Sequence, residues 1–205
     1  MPLTRVPYRS LRALLRRELI TEEHAPTAAL VRRLAPIKAR GRFTRAEFLL
    51  MCRWKSPRAR RHYERNTPVQ IRRASAAALA APTERKRIEH LTALHGVSVA
   101  TASAILTLID PRRYGVLDIR AWQLLFAVRS VADNARGQGF TIAQWERYLA
   151  ALRAHARRLG VSARTVEYTL FEIHRRWQRG TLYASSPTKR AIRRRRRSAR
   201  PRAGT

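Results

Sequence analysis

A glycine turn between two helical segments, followed by a loop and a single acid, is the feature that most constrains this chain. Residues 94–122 read LHGVSVATASAILTLIDPRRYGVLDIRAW. The pattern predicts one helix that ends near Leu94, a tight turn at residues 95–98 and a second helix from Val99 to Leu108. A loop with proline and glycine follows, and Asp118 stands where a third helix begins. Two helices joined in this way can present backbone N–H groups to a phosphate.

The rest of the chain has the same helical character, and we predict an all-α fold. The alternation of apolar and polar residues that is typical of strands is absent, and Ala, Leu and Arg favour helices. Proline at position 36 is expected to stop the second helix. Beyond the central stretch, caps and apolar stripes predict helices at residues 8–20, 27–34, 44–54, 58–65, 68–81, 84–94, 119–128, 142–159 and 163–177.

These helices are expected to form one body over residues 1–179, with the hairpin at 85–109 and the acid-bearing helix at 118–128. The helical pattern is lost from Gly180 onward. Residues 187–202 hold nine Lys or Arg and no acid. We therefore predict a disordered basic tail over residues 180–205.

The charge of the chain predicts a polyanionic partner. Lys and Arg number 44 against 13 acids, which gives a net charge of +31, and most of it lies outside the tail. Double-stranded DNA is the first candidate. Forty of these cations are Arg. A GC-rich genome would also raise Arg and Ala together, but the net charge stands under either explanation.

Other partners and cofactors find little support in the composition. No apolar run of about 18 residues would span a bilayer. No signal peptide is evident, so we expect a soluble monomer in the cytoplasm, associated with the nucleoid if the chain is bacterial. The single cysteine, Cys52, excludes an intrachain disulfide and a thiolate cluster. The spacing of the histidines predicts no transition-metal site.

The central stretch resembles the hairpin of the DNA glycosylase superfamily named for its helix-hairpin-helix and for a Gly/Pro-rich loop that ends in Asp. The usual hairpin there reads L-P-G-[VI]-G, two variable or lysine positions, then [TV]-A. Asp118 follows Ala100 by 18 residues, a spacing similar to that of endonuclease III-like members. The match covers about 30 residues. The residues that carry it are Leu94, Gly96, Val97, Thr101, Ala102, Pro111, Gly115, Leu117 and Asp118.

This resemblance implies a DNA glycosylase that releases a damaged or mismatched base. Asp118 would stabilise the positive charge that develops on the sugar and would orient or deprotonate a water molecule. Capping of the following helix is the alternative role for Asp118, and the two roles are compatible. A monovalent cation held by hairpin carbonyls is a further implied property, with no other cofactor. The amides implied to hold a DNA phosphate belong to Gly96, Val97, Ser98, Val99 and Ala100.

The sequence departs from the family pattern at three places. Ser98 replaces the second hairpin glycine, and it can substitute only if its φ is negative. Ala100 occupies the position of the Schiff-base lysine of bifunctional members, so the resemblance implies a monofunctional enzyme. The cysteines of the iron–sulfur branch are absent.

Further candidates flank the central stretch. Arg120 is expected to contact a DNA phosphate or to lie on a solvated helix face. Trp54 and Trp122 are candidates for a base pocket or wedge, with burial in the core as the alternative. Lys55 is the lysine best placed in the pattern to replace the missing amine, although a solvated lysine is the favoured explanation. Arg58 is expected to contact DNA.

Two other functions fit the same residues. The chain could bind or bend DNA with this hairpin and have no catalytic activity. It could also be a basic protein associated with RNA or the ribosome, in which the hairpin is only structural.

Overall fold

A computed structural model describes residues 6–179 and Leu182, and all regular structure within them is helical. The predicted all-α fold is confirmed for these residues. The predicted tail lies outside them except for Leu182. The helices are α1 (Leu11–Glu18), α2 (Ala25–Leu34), α3 (Pro36–Arg40), α4 (Arg45–Lys55), α5 (Arg60–Tyr63), α6 (Pro68–Ala80), α7 (Glu84–Thr92), α8 (Val99–Ile109), α9 (Ile119–Ala127), α10 (Ile142–Leu159) and α11 (Ala163–Trp177).

Side-chain caps determine where several helices begin. Thr44 with Glu47 and Thr141 with Gln144 form the predicted reciprocal capping boxes at α4 and α10. Gly160 ends α10 in the left-handed conformation, with φ of 67°. These signals lie within a few residues of the boundaries they set, which explains why the sequence reveals them.

The second helix ends before Pro36 as predicted, since α2 stops at Leu34, and Pro36 occupies the first position of the short helix α3, where its missing N–H costs nothing. One local prediction was wrong in detail. The helix predicted over residues 58–65 is instead a 3₁₀ turn at Pro57–Ala59 followed by the single α-turn of α5.

Helix α8 lies at the centre of the molecule. Every residue from Thr101 to Ile109 is buried, and the helix packs against α2, α4, α7 and α10. A helix that is apolar on all sides requires such surroundings. The first turn of α8 nevertheless reaches the surface at the hairpin. The hairpin is therefore held by the most buried helix of the described chain.

Helices α9, α10 and α11 pack beside this centre, and α11 also contacts α1. The side chains of Trp122, Trp145 and Tyr148 in this region are fully buried. None of the helices described here has the length and apolar character needed to cross a membrane.

Candidate active site

The hairpin turn requires glycine at position 96 for two reasons. Gly96 has φ of +80°, which other residues rarely adopt, and a Cβ there would lie 2.6 Å from the Cβ of His62. The buried Asn66 side chain clamps the same turn. Its amide donates to the carbonyls of Tyr63 (2.8 Å) and His95 (3.0 Å), and its oxygen accepts from the His95 N–H (2.8 Å). Sequence reasoning missed Asn66, because its partner turn lies 29 residues further along the chain.

Four of the five proposed hairpin amides remain available to a ligand. The N–H groups of Gly96, Ser98, Val99 and Ala100 have no acceptor within the described part of the chain. Val97 is different, because its N–H donates to the Leu94 carbonyl (3.1 Å) and the residue is buried. The expectation that Val97 contributes a phosphate-binding amide is therefore corrected.

Ser98 satisfies the condition under which it can replace the second hairpin glycine. Its backbone is extended, with φ of −82°, and its hydroxyl accepts from the Thr101 N–H at 3.2 Å. Ser98 is thus the N-cap of α8. Ser98 therefore leaves the N–H groups at the start of α8 open without adopting a left-handed backbone conformation.

Asp118 is connected to the hairpin helix through the buried Ser103. The Ser103 hydroxyl donates to the Ala100 carbonyl (2.7 Å) and accepts from the Leu117 N–H (2.8 Å). This hydrogen-bonded chain joins the first turn of α8 to the residue that precedes Asp118. The position of the acid relative to the hairpin is consequently set by a fixed contact.

The two carboxylate oxygens of Asp118 have different partners. Oδ1 accepts from the Arg120 N–H at 2.9 Å, so Asp118 is the N-cap of α9. Oδ2 lies 2.5 Å from Nζ of Lys55 at the end of α4. Capping uses one oxygen and leaves the other in an ion pair.

The environment keeps the Asp118 carboxyl ionised. Burial raises its pKa, but the Lys55 ammonium and the Arg120 N–H favour the charged form, and the net pKa lies below its usual value. Both side chains are mostly covered, with 16% of Lys55 and 21% of Asp118 exposed. The site therefore holds a fixed negative charge at neutral pH next to an amine.

A cavity of about 330 Å³ opens beside this ion pair. This volume is within the range of small-molecule sites, roughly 300–1,000 Å³. The rings of Trp54, Tyr168 and Phe171 line it together with Lys55 and Asp118. The structure thus brings together three of the predicted site residues, Trp54, Lys55 and Asp118, and adds two aromatic residues of α11 that the sequence interpretation had not singled out.

The wall of the cavity is stiffened by a buried arginine. The Arg164 guanidinium donates to both carboxylate oxygens of Glu23 (2.5 and 3.0 Å) and pairs with Glu167. It also lies 5.0 Å from the ring centre of Tyr168 and 5.8 Å from that of Trp54. Burial raises the pKa of Glu167, although Arg164 opposes this effect. We therefore assign Arg164 a supporting role for the two rings.

Arg120 is anchored behind the cavity wall. Its guanidinium lies 5.7 Å from the Phe171 ring centre and 3.5 Å from Nδ1 of His174. The buried His174 places Nε2 2.9 Å from Oε1 of Gln123. Burial and the Arg120 charge lower the pKa of His174 to about 4, so its ring is neutral and Nε2–H donates to Gln123. The phosphate contact of Arg120 stays a prediction, as does that of the exposed Arg58 in the 3₁₀ turn.

Trp122 does not take part in the cavity. The side chain is fully buried, packs on the rings of Phe140 and Tyr148, and donates from Nε1 to the Asn134 carbonyl at 3.0 Å. It is absent from the residues that line the cavity. The expectation that Trp122 edges a base pocket or acts as a wedge is corrected, because its ring is enclosed by the core.

Among residues 6–179, no three His, Cys, Asp or Glu side chains come together in a way that would hold a metal ion. No family model, no curated protein and no solved structure matches this chain.

Proposed function

We propose that this protein is a DNA glycosylase that releases a damaged or mismatched base from double-stranded DNA. The observation that carries the proposal is the ionised Asp118 carboxylate at the wall of an aromatic cavity, fixed through Ser103 to a hairpin with open amides. The resemblance of the hairpin, loop and acid to the helix-hairpin-helix glycosylases leads to the same activity.

The hairpin would hold the DNA backbone. The amides of Gly96, Ser98, Val99 and Ala100 form a cluster of unpaired donors at the start of a helix, which is favourable for a phosphate. The surrounding excess of arginine would add salt-dependent affinity for any duplex. A phosphate held there would place the neighbouring nucleotide near the cavity.

The cavity would receive the base after it rotates out of the duplex. Rotation costs a few kcal/mol of lost stacking, and aromatic walls recover part of that cost. Trp54, Tyr168 and Phe171 supply such walls. A damaged or mismatched base stacks less well in the duplex, so it would enter more readily than a normal base.

Asp118 would act on the sugar of the rotated nucleotide. Cleavage of the N-glycosidic bond develops positive charge on the sugar, and a fixed carboxylate in a largely buried site stabilises that charge. The same group can orient or deprotonate the attacking water. The Lys55 ammonium keeps the carboxylate in its charged form until the substrate arrives.

The test is base release from a panel of duplexes that each carry one lesion or mismatch, with alkali used to cut the abasic products. We expect wild-type protein to release at least one base and Asp118→Asn to lose about 100-fold or more in rate. Asparagine still caps a helix well, so the variant should fold and bind DNA. Asp133→Asn is the matched control, because Asp133 is half exposed and pairs only with groups outside the cavity.

Failure of the wild-type protein to release any base, with duplex binding intact, would contradict the proposal and favour a non-enzymatic DNA-binding role. Tighter binding to RNA than to duplex DNA in the same assay would instead favour the RNA-associated alternative. Equal loss of binding and base release in Asp118→Asn would make Asp118 a structural residue.

A further inference from the structure

A second group of cations lies on the side of the molecule that faces away from the hairpin turn. Helix α10 lies across the ends of α7 and α8 that point away from this turn. The Arg153 guanidinium donates to Glu84, the first residue of α7, at 2.8 Å. After α10, the Ala163 N–H donates to the carbonyl of Arg112, which follows α8, at 3.1 Å. Nine residues of α7 and 11 of α8 separate these contacts from the turn, a distance of roughly 13–16 Å.

A cleft between α1 and α10 on this side is lined mainly by basic side chains. It has a volume of about 490 Å³ and is lined by Arg12 and Arg16 of α1 and by His155 and Arg158 of α10, with two leucines. Burial and the charges of Arg158 and Arg12 lower the pKa of His155, so cations from both helices act on its ring. The cleft therefore concentrates positive charge from two elements.

No carboxylate compensates this charge within the described part of the chain. No acid lines the cleft, and its three guanidinium groups have no ion-pair partner among the described residues. The cavity beside Asp118 is different, because its Arg164 pairs with Glu23 and Glu167. Arg12 and Arg16 are also one turn apart on α1, where like charges repel and destabilise the helix. An anion bound in the cleft would remove this repulsion.

The uncompensated charge continues beyond the cleft. Arg157, next to Arg158, lines a neighbouring cavity of about 940 Å³ together with Arg112, and the acid of that cavity, Asp110, is already paired with Lys38 at 2.7 Å. A small anion needs donors that converge on one point, whereas a row of separate cations fits a chain of phosphates. Five exposed arginines without an ion-pair partner among the described residues form this row, the distal arginine surface: Arg12, Arg16, Arg112, Arg157 and Arg158.

We propose that the distal arginine surface binds the phosphate backbone of a second DNA duplex, so that one copy of the protein bridges two duplexes. The N–H groups at the start of α8 point along the helix axis, so a phosphate on the hairpin lies beyond that end of the helix. The distal surface lies behind the other end, and a duplex is too stiff to turn around so small a body without a large cost. This inference goes beyond the proposed function and rests on it only for the hold of the hairpin on the first duplex.

Capture of a second, fluorescent duplex by a bead-bound duplex tests the bridge. The affinity for the fluorescent duplex is measured with the bead-bound duplex saturated by protein, and we expect capture by the wild-type protein. The distal variant, Arg12→Gln with Arg16→Gln and Arg158→Gln, removes three cations of the surface and should weaken capture by about 10-fold or more. Glutamine and arginine have similar helix propensities, so thermal unfolding should show an intact fold.

A variant with Arg42→Gln, Arg72→Gln and Arg73→Gln is the matched control. These three arginines are exposed, have no ion-pair partner among the described residues and belong to neither α1 nor α10. The change in net charge is the same as in the distal variant. The control should capture the second duplex within about threefold of wild type, as expected for a loss of charge at a distance.

Undiminished capture by the distal variant would overturn the inference, because residues 180–205 or the hairpin of a second copy would then hold the second duplex. Wild-type protein that binds one duplex but captures no second one would overturn it too. Tighter capture of an RNA of the same length would overturn the assignment of DNA as the ligand of this surface.

These outcomes are separable from those of the base-release assay. The distal variant leaves the cavity beside Asp118 unchanged and should release base at the wild-type rate. Base release without capture leaves the glycosylase and removes the bridge. Capture that the distal variant loses, without base release from any lesion, leaves the bridge and removes the glycosylase.

Discussion

Replacement of Ala100 by Glu would test the DNA-binding role of the hairpin most directly. Ala100 is the second residue of α8, is half-buried, and has an N–H group without an acceptor among the described residues. Gly96→Ala is the more obvious change, but it would mainly measure folding. The new Cβ would meet His62 at 2.6 Å, and the residue would have to keep a φ of +80°.

The expected loss of DNA-binding free energy follows from the added charge of the Ala100→Glu variant and from the lost hydrogen bond. A Glu carboxylate roughly 5 Å from a bound phosphate, at an effective dielectric constant of about 60, costs about 1 kcal/mol. Displacement of one amide–phosphate hydrogen bond costs about another 1.5 kcal/mol. Together these weaken binding by about 2.5 kcal/mol, or about 60-fold. The fold should not suffer, because an acid in the first turn of a helix is favourable.

Ala143→Glu is a closely matched control for this variant. Ala143 is also the second residue of a helix, α10, and it is exposed. Both variants change the net charge by the same single unit, so non-specific attraction to DNA is equal in the two proteins. We expect Ala143→Glu to bind a duplex within about threefold of wild type, as an effect of charge at a distance.

The assay is fluorescence anisotropy of a labelled duplex, measured over a series of salt concentrations. Each phosphate contact adds about 0.9 to the slope of log Kd against log salt concentration. Ala100→Glu should therefore lower both the affinity and the slope, by about one contact, whereas Ala143→Glu should keep the slope. Equal affinities for the two variants, with unchanged thermal unfolding, would refute a phosphate grip by the hairpin.

Two further predictions concern groups around the cavity. The buried His174, with its pKa lowered to about 4 by burial and by a nearby arginine, should show no change in its ring NMR shifts from pH 8 to about 5. As the pH falls, the unfolded chain takes up this proton near pH 6.5, before the folded protein does. The free energy of unfolding, measured in urea, should therefore fall by up to about 3 kcal/mol from about pH 6.5 toward pH 4. A change in the His174 ring shifts near pH 6.5 would contradict the burial of this ring. Gly115→Ala should destabilise the protein by about 2–3 kcal/mol, because a Cβ would lie 2.6 Å from Cδ1 of Leu152 and 2.7 Å from Cβ of Glu167. Gly139→Ala is the control, because a Cβ there would meet no atom within 4 Å. It should cost only the strain of a φ of +61°, about 1 kcal/mol. Equal thermal unfolding of the Gly115→Ala and Gly139→Ala variants would contradict the close packing at Gly115.

The features that the sequence predicted well are local ones. Thr44 with Glu47 caps α4 over four residues, and Asp118 caps the helix that follows it. The helix after the hairpin was also predicted, from Val99 to Leu108, and α8 spans Val99–Ile109. Hydrogen bonds and burial patterns of this kind depend on neighbours in the chain, so one sequence is sufficient to infer them.

The features that the sequence could not reveal depend on contacts between distant elements. Arg164 supports the cavity through Glu23, which lies 141 residues earlier in the chain. Trp122 was open to two interpretations, because an aromatic residue on an apolar helix can face either a core or a pocket. The packing of the Trp122 ring on Phe140 and Tyr148 decided between them. Tyr168 and Phe171 join the cavity wall for the same reason, since α11 brings them to the end of α4.

The contact between Lys55 and Asp118 shows most clearly what the fold adds to the sequence. The two residues are 63 positions apart, and each had its own ordinary explanation, a solvated lysine and a helix cap. Their ion pair excludes the first explanation, because only 16% of the lysine side chain is exposed. Stability alone gives little reason for such a pair, since the cost of removing two charges from water offsets most of their attraction. The Lys55 ammonium instead keeps the Asp118 carboxylate charged at the wall of the cavity. Lys55→Arg keeps this ion pair, while Asp118→Asn removes the carboxylate and keeps a residue that caps α9. We therefore expect base release to survive in Lys55→Arg and to be lost in Asp118→Asn, and equal loss in the two variants would contradict a supporting role for Lys55.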